Sequence, residues 1–187
     1  MRFRALVFAT LSTTAAWLAM TAVHELGHVL TARLSGGRVM HVELPPRGLG
    51  HTQVSRNPHP RLVAWGGPLG GSLMGLAPLI FLRRSEVARW LARFFGGFCL
   101  IANGAYVGVG AFLGDPNGAD DAHELLRHGA PLWQLALFGL ATGTAGLGVW
   151  HRLGPAIGFI RASSLAGPRT FAALAALIVA LLALGWL

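Results

Sequence analysis

The fold turns on residues 5–28, ALVFATLSTTAAWLAMTAVHELGH. An uncharged apolar run, Ala5 to Val23, passes directly into His24-Glu25-Leu26-Gly27-His28. On a helix, positions i and i+4 share one face, so both imidazoles can reach a single metal ion. Glu25 sits about 100° further round the helix than His24, where it can hold a water beside the metal without binding the metal. Zinc in such a site lowers the pKa of its water, and a neighbouring glutamate takes the proton. The unusual feature is that the motif grows out of a segment suited to the inside of a membrane.

The apolar run is 19 residues long, more than the roughly 7–15 of a secretory h-region, so it is read as a retained span rather than a cleaved leader. A helix over residues 4–34 is expected, ended by Ser35-Gly36-Gly37. At about 1.5 Å per residue it is ~45 Å long, against ~30 Å of hydrocarbon core, which leaves the depth of the motif open.

Outward from this stretch the chain alternates apolar and polar blocks. Residues 38–55 change to period two around Pro45-Pro46-Arg47-Gly48, which predicts a short β-hairpin. Its Val39 and Val42 are candidates for aligning an extended peptide by strand addition. Further spans are expected at 62–82, 94–113, 130–150 and 170–187, with Arg83 to Arg93 as a polar connection. Pro68 is expected to kink or open the second span. Asn103 lies inside the third span, where a buried amide bonds to a neighbouring helix, and it is a candidate substrate contact. Cys99 is the single cysteine, so an intrachain disulfide is excluded.

The expected fold is therefore an all-α polytopic membrane protein of about five transmembrane helices, with a short β-hairpin after the first. It forms one membrane-embedded domain over 1–187, without internal repeats. Charged residues are only 12% of 187, and the net charge of +8 comes wholly from arginine. Those arginines flank apolar runs, which marks membrane boundaries and argues against nucleic acid as a partner.

A hydrolytic zinc site needs a third protein ligand. Residues 114–129, GDPNGADDAHELLRHG, hold four of the seven acidic residues, and two crossings after the motif return this stretch to the same membrane face. Asp121 and Glu124 have capping-box spacing, so a short helix over about 121–128 is expected to start at Asp121. His123 and His128 are further ligand candidates. His41, His51, His59 and His151 read as ordinary loop or interface residues.

With these motifs the chain resembles the site-2 protease family of intramembrane zinc metalloproteases. His24 to His28 stands as HELGH, Gly67-Pro68-Leu69 resembles the family's Gly-Pro helix, and Pro116 to Asp121 has the spacing of its NxxPxxxxDG loop. Leu125 and Leu126 fall where the family has an apolar pair. The resemblance implies Zn²⁺ held by His24, His28 and Asp121, with Glu25 as catalytic base. Asp120 and Asp115 stay as alternative ligands, because Leu-Gly-Asp-Pro replaces the loop's usual opening and Ala122 its glycine. Gly71 stands where the Gly-Pro motif commonly ends in Asn. The implied partners are a transmembrane protein substrate and the lipid bilayer of a bacterial-type cell membrane. Arginine counting favours an outward-facing site, whereas the resemblance implies one near the cytoplasm. Two other functions share these residues: a non-proteolytic metal-binding or scaffold protein, and a small metal or proton transporter.

Overall fold

The structure is a computed structural model that describes residues 2–82, 85–113, 120–151, 153 and 167–185. The first helix, α1 (Arg2–Leu34), runs for 33 residues. It stops where the sequence predicts. Gly36 takes φ +83°, the Gly37 N–H donates to the Ala32 carbonyl at 2.7 Å, and the Gly36 N–H donates to Arg33. That Schellman geometry needs a residue without a Cβ penalty in the left-handed region.

The chain then forms the hairpin, β1 (Arg38–Glu43) and β2 (His51–Ser55), paired antiparallel. Val39 faces Val54 and Val42 faces Thr52, with a register shift between Val39 and His41 that absorbs Met40. The shift is a bulge, which pairing by alternation alone does not foresee.

Three long helices build the middle of the molecule: α1, α2 (Pro60–Phe81) and α3 (Glu86–Leu113), with α2 between the other two. Pro60 opens α2 at the position where a missing N–H costs nothing. Pro68 and Pro78 lie inside α2, which is assigned as one continuous helix through both. Helices α1 and α2 meet backbone to backbone. A Cβ on Gly70 would lie 2.7 Å from the Gly27 Cα, so the glycine within the HELGH motif is there for packing.

Helix α3 starts at Glu86 rather than Phe94, absorbing most of the expected polar connection. Ser85 caps it, accepting from the Ala88 N–H at 3.1 Å. Arg93 lies level with the end of the next span. Its guanidinium donates to the Val149 and His151 carbonyls, the last acceptors of the next span.

Then come α4 (Asp121–Arg127), α5 (Leu132–Trp150) and α6 (Pro168–Leu184). Helix α5 packs along α3, α6 rests on α1, and α4 lies against α2 and α3. Buried Leu125 and Ala122 fix α4 onto Val107 and Leu135, so Ala122 occupies its place without strain. At the other end, Phe8, Trp90, Phe94 and Leu174 close a second apolar cluster. Helices α1, α2, α3 and α5 are long and apolar enough to cross a membrane, while α6, with 17 residues, is a shorter apolar helix. Exposed Trp133, Leu137, Leu140 and Leu147 on α5 suit a lipid-facing surface.

Candidate active site

His24 and His28 point from α1 towards α2 and α4, and their Nε2 atoms stand 3.2 Å apart. The Asp121 carboxylate reaches both, with Oδ2 at 2.8 Å from His24 Nε2 and Oδ1 at 3.2 Å from His28 Nε2. The opposite nitrogens are already engaged. His24 Nδ1 lies 2.6 Å from Asn103 Oδ1, and His28 Nδ1 lies 2.8 Å from the Val63 carbonyl. Asn103 Nδ2 in turn donates to the Cys99 carbonyl at 2.8 Å, which orients the amide with its oxygen towards His24. Both Nδ1 atoms face acceptors and therefore carry the proton in the neutral rings. Both Nε2 lone pairs then face each other and a carboxylate.

Three lone-pair donors aimed at one point fit a divalent cation, with each imidazole tautomer set from behind. The facing wall has room for one. A Cβ on Gly67 of α2 would meet His24 Nε2 and His28 Nε2, so this helix presents bare backbone where a metal would stand.

Glu25 is 3% exposed, and its ligand-type atoms lie within 4.8 Å of those of His24 and His28. By distance alone it could also be a ligand. However, its Oε2 accepts the Thr52 hydroxyl at 2.6 Å, and its side chain lies against Gly50. It is Asp121 that touches both ring nitrogens. Burial would raise the Asp121 pKa, but with protons on both Nε2 atoms the hydrogen bonds and charge of His24 and His28 hold it well below the usual carboxylate range, and a metal cation in place of those protons would act in the same direction. The Asp121 carboxylate is therefore ionised, the form in which it ligates.

The neighbouring aspartate does different work. Asp120, not Asp121, is the N-cap of α4: it accepts the His123 N–H at 3.0 Å and pairs with His123 Nδ1 at 2.8 Å. This frees Asp121, the first helical residue, to face α1. Losing the cap should cost about 1 kcal/mol. Asp120→Ala is therefore expected to lower thermal stability while the protein still binds metal, as read by a melt and by metal analysis of one preparation.

His128 pairs with Glu124 on the exposed side of α4, so neither runner-up histidine reaches the His24–His28 pair. Asp115 and Pro116 lie outside the described residues. Val39 and Val42 pair with Val54 and Thr52, and it is these β2 residues that line the cavity above Glu25.

Asn103, 1% exposed, is drawn into the site as the partner of His24. Gly71 makes this possible, because a Cβ there would lie 2.8 Å from Asn103 Nδ2. The departure at Gly71 thus leaves room for an amide carried on a different helix. Asn103→Ala is expected to weaken metal binding about 10–100-fold, the usual cost of losing such a partner, measurable by competition with a zinc chelator. Sequence reasoning missed this pairing. The available signal was one polar residue in an apolar span, together with a small residue where an amide is usual.

Two cavities flank the site. One, of about 270 Å³, lies under β2 and reaches Asp121, and the other, of about 290 Å³, lies between α1 and α3. A sequence model of the family described as Peptidase M50B-like matches residues 4–109. The matched segment carries His24, Glu25, His28, Gly67 and Asn103 and stops short of Asp121. Comparison with curated proteins and with solved structures gave no match.

Proposed function

This chain belongs to the Peptidase M50B-like family, and on that premise we propose that it is an intramembrane zinc metalloprotease that cuts membrane-spanning or membrane-adjacent protein substrates. The family is one of site-2 protease-like membrane metalloproteases, and the chain is an integral membrane protein. One observation supports the finer reading: His24 Nε2, His28 Nε2 and the Asp121 carboxylate converge, with the Nδ1 atom of each ring already bonded from behind.

His24, His28 and Asp121 would hold the zinc, which when bound supplies Lewis-acid polarisation of a carbonyl and acidification of water. Glu25 would accept a proton from the attacking water and return it to the leaving amine nitrogen. The Thr52 hydroxyl fixes one carboxylate oxygen of Glu25 and leaves the other for that transfer. Asn103 and the Val63 carbonyl keep the two imidazoles in the ligating tautomer. Residues 50–54 cover Glu25 and line the cavity, and β2 pairs only with β1 among the described residues. An extended substrate segment would add to that strand.

The test is cleavage of a single-span reporter protein by the full chain purified in detergent. Cleavage that stops with a zinc chelator, returns on adding zinc and never occurs with Glu25→Gln supports the proposal. A chain that holds zinc and cuts no reporter would be a metal-binding scaffold instead.

A further inference from the structure

The two cavities share a wall made by His24, Glu25, Gly50 and Tyr106, so any bond presented to Glu25 lies between them. Their linings differ in kind. The cavity under β2 is bounded by His51, Gln53, Asn57 and Glu124 alongside Val54, Val63 and Ala64, and it is the more polar of the two. Asn57 Oδ1 is buried with no hydrogen-bond partner among the described residues, an acceptor without a donor beside this cavity. The other cavity is bounded by Trp17, Met20, Leu49, Ala102 and Ala105 and is almost wholly apolar.

The cavities also differ in depth. Trp17 and Met20 precede His24 by about two turns and one turn of α1, which places them roughly 10 Å and 6 Å further into the span. Residues 51–57 follow α1 on the hairpin side, outside the span. The apolar cavity is thus the deeper one. Its volume of about 290 Å³ far exceeds the ~30 Å³ share of one water, and it offers water almost no partners. An apolar occupant suits it.

We propose that the cavity between α1 and α3 is a side-chain subsite for a bulky aliphatic or aromatic residue next to the cut bond. The polar cavity receives the substrate's membrane-edge residues on the other side of that bond. This rests on the protease reading and sharpens its substrate class: the chain cuts where an apolar span gives way to polar residues. Leu49, on the loop before β2, and Tyr106 close the subsite above. Ala102 and Ala105 are the small residues that leave it open.

The probe is a reporter with a Leu/Ala span followed by a Gln/Lys tail, carrying Leu, Phe or Ala as the last apolar residue before the junction. The readout is the ratio of kcat/KM for the Leu reporter to that for the Ala reporter, which does not depend on the amount of folded enzyme. Filling the subsite with Ala102→Phe, or with Ala105→Leu at an exposed position, is expected to lower this ratio about tenfold or more, within the range that pocket size gives. Met20→Ala, which enlarges the subsite, is expected to raise the Phe-to-Leu ratio. Moving the junction three residues along the reporter should move the cut with it.

Cleavage that Glu25→Gln abolishes, but with ratios unchanged in all three variants and a cut that ignores the junction, overturns the subsite and leaves the protease standing. No cleavage of any reporter by the zinc-loaded wild type overturns both. Unchanged ratios with Met20 labelled by a photoreactive fatty acid would assign the cavity to a lipid chain and also overturn the subsite.

Discussion

Glu25→Gln is expected to lower kcat on a cleavable reporter by about 10²–10⁴-fold, the usual worth of a general base, while metal content stays that of the wild type. Glutamine keeps the shape of the side chain and still offers an oxygen to the Thr52 hydroxyl, so the contact that holds β2 over α1 survives. What it loses is the ability to take a proton. The two readouts separate the roles that proximity alone confuses, because Glu25 lies as close to the histidines as a ligand would. A metal ligand would carry zinc away with it, whereas a base would not. Equal loss of zinc and activity would make Glu25 a ligand and reopen the place of Asp121.

Gly67→Ala should be as damaging by a different route. Alanine favours a helix over glycine by about 1 kcal/mol, so α2 itself gains intrinsic helix propensity. The new methyl group, however, would meet the Nε2 atoms of His24 and His28, where the three donors converge. Metal affinity is expected to fall by more than about 100-fold, beyond what loss of an outer hydrogen-bond partner costs. The helical circular dichroism spectrum should be retained. Zinc binding at wild-type affinity in this variant would mean that the metal stands elsewhere than between α1, α2 and α4.

Much of this arrangement is legible in the sequence. An apolar run ending in HELGH sets the first helix, the metal-facing histidines and their shared face, and Gly36 marks its end. Strand alternation and the Pro-Pro-Arg-Gly turn reveal the hairpin, though not the bulge at Met40, which depends on the pairing of both strands. The start of α3 is not legible, because Glu86, Arg89 and Arg93 resemble a connection in sequence. A charged first turn is equally the beginning of a helix that has not yet entered the membrane.

The choice between Asp120 and Asp121 shows where local pattern ends. Both spacings, Asp121 to Glu124 and Asp120 to His123, suit a cap, and only the backbone path decides that Asp120 takes the cap and Asp121 the histidines. Asn103 was visible as an amide in an apolar span. Its partner His24 lies 79 residues away in the chain, and no local rule links the two.

The most direct test is zinc per chain in full-length protein purified in detergent, for wild type, His24→Ala, Asp121→Ala and Asp120→Ala. A site of three protein ligands and one open position predicts about one zinc in the wild type. It predicts loss with His24→Ala and Asp121→Ala, and retention with Asp120→Ala. No tightly held zinc in the wild type, or zinc kept by Asp121→Ala and lost with Asp120→Ala, would contradict the centre built from His24, His28 and Asp121.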